Sequence, residues 1–171
     1  TSNWVNKVMM IFPKYARLEL KNKPMRNISP DILLAFGEFF SKSTDIVNVT
    51  EIMIVDLISS INDIDSYKEI LAKYISSNCR KVGVKYHPRE TKSDVLGLSS
   101  YENVVLFDSS WPAELLVLAT NPEKIIGSTS TTMISSKWLD PNIRAVLIPK
   151  DGNTNYRALR VFSQLNTVNL D

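Results

Sequence analysis

The chain has 171 residues, of which 20 are basic and 18 acidic, and its formal net charge of +2 indicates no nucleic-acid-binding surface. A single cysteine excludes an intramolecular disulfide and is consistent with a reducing compartment. No apolar run approaches the roughly 20 residues that span a bilayer. The five glycines form neither a GxGxxG dinucleotide fingerprint nor a Walker P-loop. A bound phosphate would therefore be held by side chains, hydroxyl groups or helix N-termini.

The first 50 residues differ in pattern from the remainder of the chain. Residues 7–12 have the character of a strand, and residues 30–40 that of a helix capped by Ser29. Between these two segments lie several basic side chains. We interpret residues 1–50 as the remnant of a preceding domain or as a docking segment, and residues 51–171 as the principal domain.

From residue 51 onward, strand-like and helix-like segments alternate with short connections. The pattern predicts strands over residues 51–57, 81–86, 103–107, 123–127 and 143–149. It predicts helices over residues 67–75 with Ser66 as cap, 112–119, 131–139 and 156–165. Such alternation predicts an α/β fold with a Rossmann-like, mostly parallel sheet. Ligands of these sheets bind beyond the carboxyl ends of the strands, so we expect chemistry in the loops at residues 59–65, 87–90, 108–114 and 128–132.

His87 is the only histidine, and it stands at the end of a predicted strand, directly before Pro88. A lone histidine is more often structural or merely exposed than functional. Here the proline favours an extended backbone and closes the strand, so the imidazole should project at the carboxyl edge of the sheet. A group that titrates near neutral pH is useful at that position.

Residues 128–132 are five consecutive serines and threonines between a strand and a helix. One of them suffices to cap the helix; together with the free N–H groups of a helix start they can also bind an anion, and both interpretations stay open. Glu114, in the first turn of its helix, either interacts with the helix dipole or accepts hydrogen bonds from ribose hydroxyls. Asp63 and Asp65 form an Asp-x-Asp pair, a pattern that can bind a metal ion but is equally typical of a helix cap or a turn, and we infer no metal site from it.

Three short motifs follow one another on the predicted strand-end loops: Lys85-Tyr86-His87-Pro88-Arg89-Glu90, Pro112-Ala113-Glu114 and Gly127-Ser128-Thr129-Ser130-Thr131. In this order they resemble the signature of bacterial sialyltransferases and polysialyltransferases with the two-domain GT-B architecture. The chain is most similar to the lipooligosaccharide sialyltransferases of glycosyltransferase family 52, over about residues 7–150. The resemblance implies that residues 51–171 form the donor-nucleotide half of a GT-B glycosyltransferase and bind CMP-sialic acid.

The resemblance also implies a role for each matching residue. His87 matches the histidine that contacts the donor phosphate and acts as general acid toward the leaving nucleotide. Lys85 and Pro88 match positions that line the cytosine, and Glu114 matches a carboxylate that binds the ribose hydroxyls.

Ser130 and Thr131 match the pair that hydrogen-bonds the phosphate, with Ser128 or Thr129 as the alternative register. An acidic general base is implied as well, and our candidates in the loop after the first strand are Asp63 and Asp65. Related families draw this base from the other domain, so a residue outside the chain stays an alternative.

The implied reaction is the inverting, metal-independent transfer of sialic acid from CMP-sialic acid to a glycan hydroxyl of a bacterial surface polysaccharide or lipooligosaccharide, with no cofactor. The alternatives are a GT-B donor domain for another sugar nucleotide and a nucleotide-binding fragment without activity of its own. The expected partners are the sugar nucleotide and the glycan acceptor, not nucleic acid, and peripheral membrane association and a homodimer stay open. We expect a cytoplasmic location, with the inner face of the bacterial membrane as the alternative.

Overall fold

A computed structural model of the chain describes residues 8–10, 23–43, 46–128, 130–148 and 168–169. Near the N-terminus, two short parallel strands pair with each other, β1 (Val8–Met10) and β2 (Met25–Asn27). Helix α1 (Asp31–Ser43) follows, and Ser29 Oγ accepts a 3.4 Å hydrogen bond from the first backbone N–H of the helix. The strand and the helix predicted for this part of the chain are thus confirmed, whereas β2 was not predicted.

The principal sheet of the described chain has six parallel strands. They are β3 (Glu51–Ile54), β4 (Val82–Lys85), β5 (Val104–Leu106), β6 (Lys124–Gly127), β7 (Arg144–Leu147) and β8 (Val168–Asn169). Their spatial order is β5-β4-β3-β6-β7-β8. This is the order of a doubly wound Rossmann sheet, in which the direction of winding reverses between β3 and β6. The predicted Rossmann-like α/β fold is confirmed.

Helices cover both faces of this sheet: α2 (Ile64–Ser76), α3 (Ala113–Thr120) and α4 (Thr131–Leu139). Adjacent residues of β3 show the division, because successive side chains of a strand point to opposite faces. Met53 packs with Leu71 of α2 in one core cluster, and Ile52 packs with Leu116 of α3 and Met133 of α4 in the other. All five of these side chains are fully buried.

Helix α1 packs against α3, on the face of the sheet that α3 and α4 cover. The approach is close at Gly37, where an added Cβ would stand 2.6 Å from the Cβ of Leu118. A hydrogen bond of 2.9 Å from Trp138 Nε1 to the carbonyl oxygen of Ile28 also joins this segment to α4. The division of the chain at residue 50 into two units stays a prediction.

Helix α2 begins three residues earlier than predicted. Its cap is Asp63 instead of Ser66, because the Asp63 carboxylate accepts a 3.0 Å hydrogen bond from Ser66 N and so satisfies a free N–H of the first turn. Strand β8 was not predicted either. The helix predicted over residues 156–165 lies outside the described residues.

Candidate active site

A pocket of about 360 Å³ opens at the carboxyl edge of the sheet. The end of β3, the loops after β4 and β5 and the start of α4 form its walls. Its lining includes six residues singled out in the sequence, namely Lys85, His87, Pro88, Glu114, Ser130 and Thr131. The three sequence motifs therefore meet at one place, which is where a Rossmann sheet binds its ligand.

His87 is half-buried in the wall of this pocket. Its Nδ1 accepts a 3.2 Å hydrogen bond from Arg89 N, which the turn after Pro88 brings back toward the ring. A nitrogen that accepts cannot carry the proton, so the neutral imidazole holds its proton on Nε2. His87 can therefore donate a hydrogen bond from Nε2 without first becoming charged.

Lys85, the last residue of β4, is 5% exposed. Its Nζ donates to the carbonyl oxygens of Tyr86 at 3.1 Å and Ser109 at 3.0 Å. Burial lowers the pKa of Lys85, while the charges of Glu114 and Asp108 act in the opposite direction. An ammonium group has three N–H donors, so one of them is not used by these two carbonyls. Lys85 can thus offer a hydrogen bond and a positive charge to a ligand.

Two serines of the hydroxyl-rich loop, residues 128–132, have different surroundings. Ser128 is buried, and its Oγ donates a 2.8 Å hydrogen bond to Asp56 Oδ1. Ser130 is the N-cap residue of α4, yet its side chain makes no capping hydrogen bond, and its buried Oγ has no partner among the described residues. Because buried hydroxyls are nearly always satisfied, Ser130 Oγ is a candidate to bind a ligand. Thr129 lies outside the described residues.

Glu114 lies in the first turn of α3 and accepts a 2.7 Å hydrogen bond from Ser135 Oγ of α4 through its Oε1. The carboxylate keeps further lone pairs on both oxygens. It also borders a second, mainly apolar groove between α1, α3 and α4. Glu114 thus holds two helices together at the pocket and still has acceptor capacity.

Residues 6–148 match the family model of alpha-2,8-polysialyltransferase (POLYST). The chain belongs to the alpha-2,8-polysialyltransferase family. It is therefore a sialyltransferase, a glycosyltransferase that transfers sialic acid to a glycan. No curated protein matches the chain significantly. The likeness to glycosyltransferase family 52 and the GT-B architecture stay predictions.

The predicted base candidates of this polysialyltransferase-family chain do not line the pocket. Asp63 caps α2 through Ser66 N, and Asp65 is exposed in the first turn of the same helix. The carboxylate that the structure does bring to the pocket from this part of the chain is Asp56. Asp56 was not predicted as a site residue, because the predicted strand ran to residue 57 and included it.

Trp111 is a second lining residue to which the sequence gave no role. Its ring meets Phe40 of α1 edge-on, with centroids 5.4 Å apart, and lies against Phe107 at 6.5 Å. The aromatic neighbours on both sides fix the orientation of the indole beside the pocket. The only signal for Trp111 in the sequence was its place directly before the Pro112-Ala113-Glu114 motif.

Hydrogen bonds between the loops hold the pocket of this sialyltransferase together. Glu90, the last residue of the His-Pro motif, accepts a 2.6 Å hydrogen bond from Ile58 N and so links the loop after β4 to the loop after β3. The bond from Lys85 to Ser109 O links the loops after β4 and β5. Each loop is thus positioned by a neighbouring one.

Neither a metal-binding group nor a membrane span is found in the part of the chain that the structure describes. No three His, Cys, Asp or Glu side chains in this part cluster so that they could hold a metal ion. No helix in it is long and apolar enough to cross a membrane. Transfer without a metal stays a prediction, as does the cellular location.

Proposed function

We propose that this protein transfers sialic acid from CMP-sialic acid to a hydroxyl of a glycan acceptor, with inversion at the anomeric carbon and without a metal ion or cofactor. The acceptor is a bacterial surface polysaccharide or lipooligosaccharide, and the reaction takes place in the cytoplasm. The observation that carries the proposal is the pocket that joins His87, Glu114 and Ser130 in a chain of the polysialyltransferase family.

The chemistry of the bond that breaks explains this choice of residues. The transition state of sialic acid transfer resembles an oxocarbenium ion, and negative charge grows on the departing phosphate. The Ser130 hydroxyl, which has no partner among the described residues, and the N–H groups at the start of α4 are donors suited to that charge. The ammonium of Lys85, which lines the same pocket, adds a positive charge to this site.

His87 contributes in either of two protonation states. As a neutral ring it donates a hydrogen bond from Nε2 to a phosphate oxygen. As an imidazolium it can transfer that proton as a general acid, but its Nδ1 then carries hydrogen and no longer accepts from Arg89 N. The hydrogen-bonding role requires no change in the surrounding structure.

The remaining lining residues suit the nucleoside. The Glu114 carboxylate can accept hydrogen bonds from the ribose hydroxyls, and Lys85 and Pro88, which line the same pocket, are the residues that we expect beside the cytosine. A volume of about 360 Å³ falls in the range of small-molecule sites. The pocket therefore suits a mononucleotide, and the sugar would extend from its mouth.

A nucleotide panel tests the choice of donor. We expect CMP to raise the melting temperature more than UMP, GMP or AMP at equal concentration, because only the cognate nucleotide binds the native state tightly. A larger shift with UMP or GMP would assign the pocket to another sugar nucleotide.

Two variants of His87 test its part in the reaction. His87→Ala should lower the rate of sialic acid transfer by roughly 10²–10⁴-fold. His87→Gln keeps an N–H donor near the position of Nε2, so it should retain part of that rate if His87 acts by hydrogen bonding. Near-normal transfer in the alanine variant would contradict the assignment.

A further inference from the structure

A chain of hydrogen bonds runs from the core of the domain to the hydroxyl-rich loop. Tyr67 of α2 is 1% exposed, and its hydroxyl donates to Asp56 Oδ2 at 3.3 Å while accepting from Asp56 N at 3.4 Å. Asp56 Oδ1 accepts from Ser128 Oγ at 2.8 Å. Ser128 in turn accepts a 2.8 Å hydrogen bond from Ser130 N at its carbonyl oxygen.

This series of hydrogen bonds joins the loops that follow two neighbouring strands of the sheet. Asp56 follows β3 and Ser128 follows β6, the two strands between which the winding of the sheet reverses. The Asp56–Ser128 bond therefore bridges the crevice in which a ligand of this fold binds. It also satisfies the Ser128 hydroxyl, whereas the hydroxyl of Ser130 two residues later has no partner among the described residues.

At the Tyr67 end of this series of hydrogen bonds, the direction of donation is fixed. Burial raises the pKa of Tyr67, and the Asp56 carboxylate raises it further, so the phenol keeps its proton and remains a donor. No described lysine, arginine or histidine forms an ion pair with Asp56. Among the residues that the structure describes, two hydroxyl groups orient the carboxylate.

We infer that Asp56 is a positioning residue for the hydroxyl-rich loop: it holds Ser128 and thereby leaves the Ser130 hydroxyl and the N-terminus of α4 available to the donor phosphate. This inference rests on the proposed CMP-sialic acid function. The inference explains why a carboxylate lies beside a proposed phosphate site. The Asp56 oxygens accept hydrogen bonds from within the protein, and the charge of the carboxylate is not needed for binding.

The inference predicts different results for two substitutions of the same residue. Asp56→Ala removes the acceptor of the Ser128 hydroxyl, so affinity for CMP should fall by about 10-fold to 100-fold. Asp56→Asn keeps one acceptor oxygen, which can serve Ser128 while the amide N–H group faces the Tyr67 hydroxyl and that hydroxyl accepts instead of donating. It also removes a negative charge near the phosphate, so its affinity for CMP should stay close to wild type or rise. Isothermal titration with CMP and with cytidine measures both variants, and the affinity for cytidine should change little in either because it has no phosphate.

A double-mutant cycle checks that Asp56 acts through Ser128. Ser128→Ala should weaken CMP binding by a factor similar to that of Asp56→Ala, and the double variant should bind no more weakly than either single one. Glu69→Gln, a carboxylate-to-amide change on the exposed side of α2, serves as the control for folding and handling.

The opposing outcomes are distinct. Equal losses for CMP and cytidine would show a general disruption of the pocket, and additive losses in the cycle would show that Asp56 and Ser128 act separately; either overturns the inference. Asp56→Asn that binds CMP normally but loses sialic acid transfer would also overturn the inference, because Asp56 would then act as the general base and not through Ser128. If the wild-type protein itself does not bind CMP more tightly than cytidine, the proposed function is wrong, and that result is distinct from the failure of the Asp56 inference.

Discussion

Replacing Ser130 by alanine removes a hydroxyl oxygen that is buried and has no hydrogen-bond partner among the described residues. An unsatisfied buried hydroxyl destabilises the folded state by about 1–3 kcal/mol, and its removal should recover part of this. Loss of a capping residue normally has the opposite effect, but the Ser130 side chain makes no capping hydrogen bond. We therefore expect Ser130→Ala to be about 1 kcal/mol more stable than wild type in the absence of ligand.

The same substitution should weaken binding of the donor. A hydrogen bond to a charged group contributes about 1.5–3 kcal/mol, so the dissociation constant for CMP should rise by roughly 10-fold to 150-fold. Stability and affinity would then change in opposite directions, as is typical of residues kept for function at the expense of stability.

Thermal unfolding with and without CMP, together with calorimetric titration, measures both quantities. In a chain of this length, 1 kcal/mol corresponds to a rise in melting temperature of about 2–4 °C. For the stability measurement the matched comparison is Ser128→Ala, which removes a satisfied hydroxyl from the same loop and should lower stability by about 1 kcal/mol. The reasoning is refuted if Ser130→Ala is less stable than wild type and binds CMP equally well.

Three further predictions concern charge, packing and the opposite end of the sheet. Because burial lowers the pKa of Lys85 below its ordinary 10.5, its ammonium loses its proton at a lower pH in the folded protein, and affinity for CMP should fall as the pH rises through that lowered pKa. The free energy of unfolding should rise over the same interval, because the unfolded chain keeps this proton to higher pH. Calorimetric titrations at several pH values should show the fall in affinity for wild type and no such fall for Lys85→Arg. Gly83→Ala would place a Cβ 2.8 Å from Cζ of Phe107, so urea unfolding should show a loss of about 1–3 kcal/mol, and an unchanged midpoint would contradict this packing. Glu51 is fully buried and pairs with Lys124 at 2.7 Å, so Glu51→Ala should lose about 3 kcal/mol in urea unfolding and keep its affinity for CMP, whereas a loss below about 1 kcal/mol would show that the pair is dispensable.

Most of the fold could be predicted from the sequence because its strands are short apolar runs separated by helical patterns. Strands β3 to β7 lie within the predicted segments, and α4 has the predicted bounds. Strands β2 and β8, by contrast, were not predicted, and they have only three and two residues. Segments this short carry too few residues for a periodic pattern, and their pairing depends on partners distant in the sequence.

The site was predictable to the extent that its residues stand at strand ends next to proline, glycine or a helix start. His87, Glu114 and Ser130 fit that description, and the structure brings all three to one pocket. Asp56 could not be recognised, because an apolar run gives no sign of where its hydrogen-bonded part stops. The different surroundings of Ser128 and Ser130 follow from a contact across 72 residues with Asp56, which a local pattern does not contain.

The packing of α1 has a practical consequence for protein engineering. Gly37 lies directly on Leu118, and Phe40 supports the indole of Trp111 at the pocket wall. A shortened version that began at residue 51 would remove this support and expose the apolar surface of α3 to water. Expression trials that aim for a minimal ligand-binding unit should therefore retain the chain from before Ile28, whose carbonyl oxygen receives the Trp138 hydrogen bond.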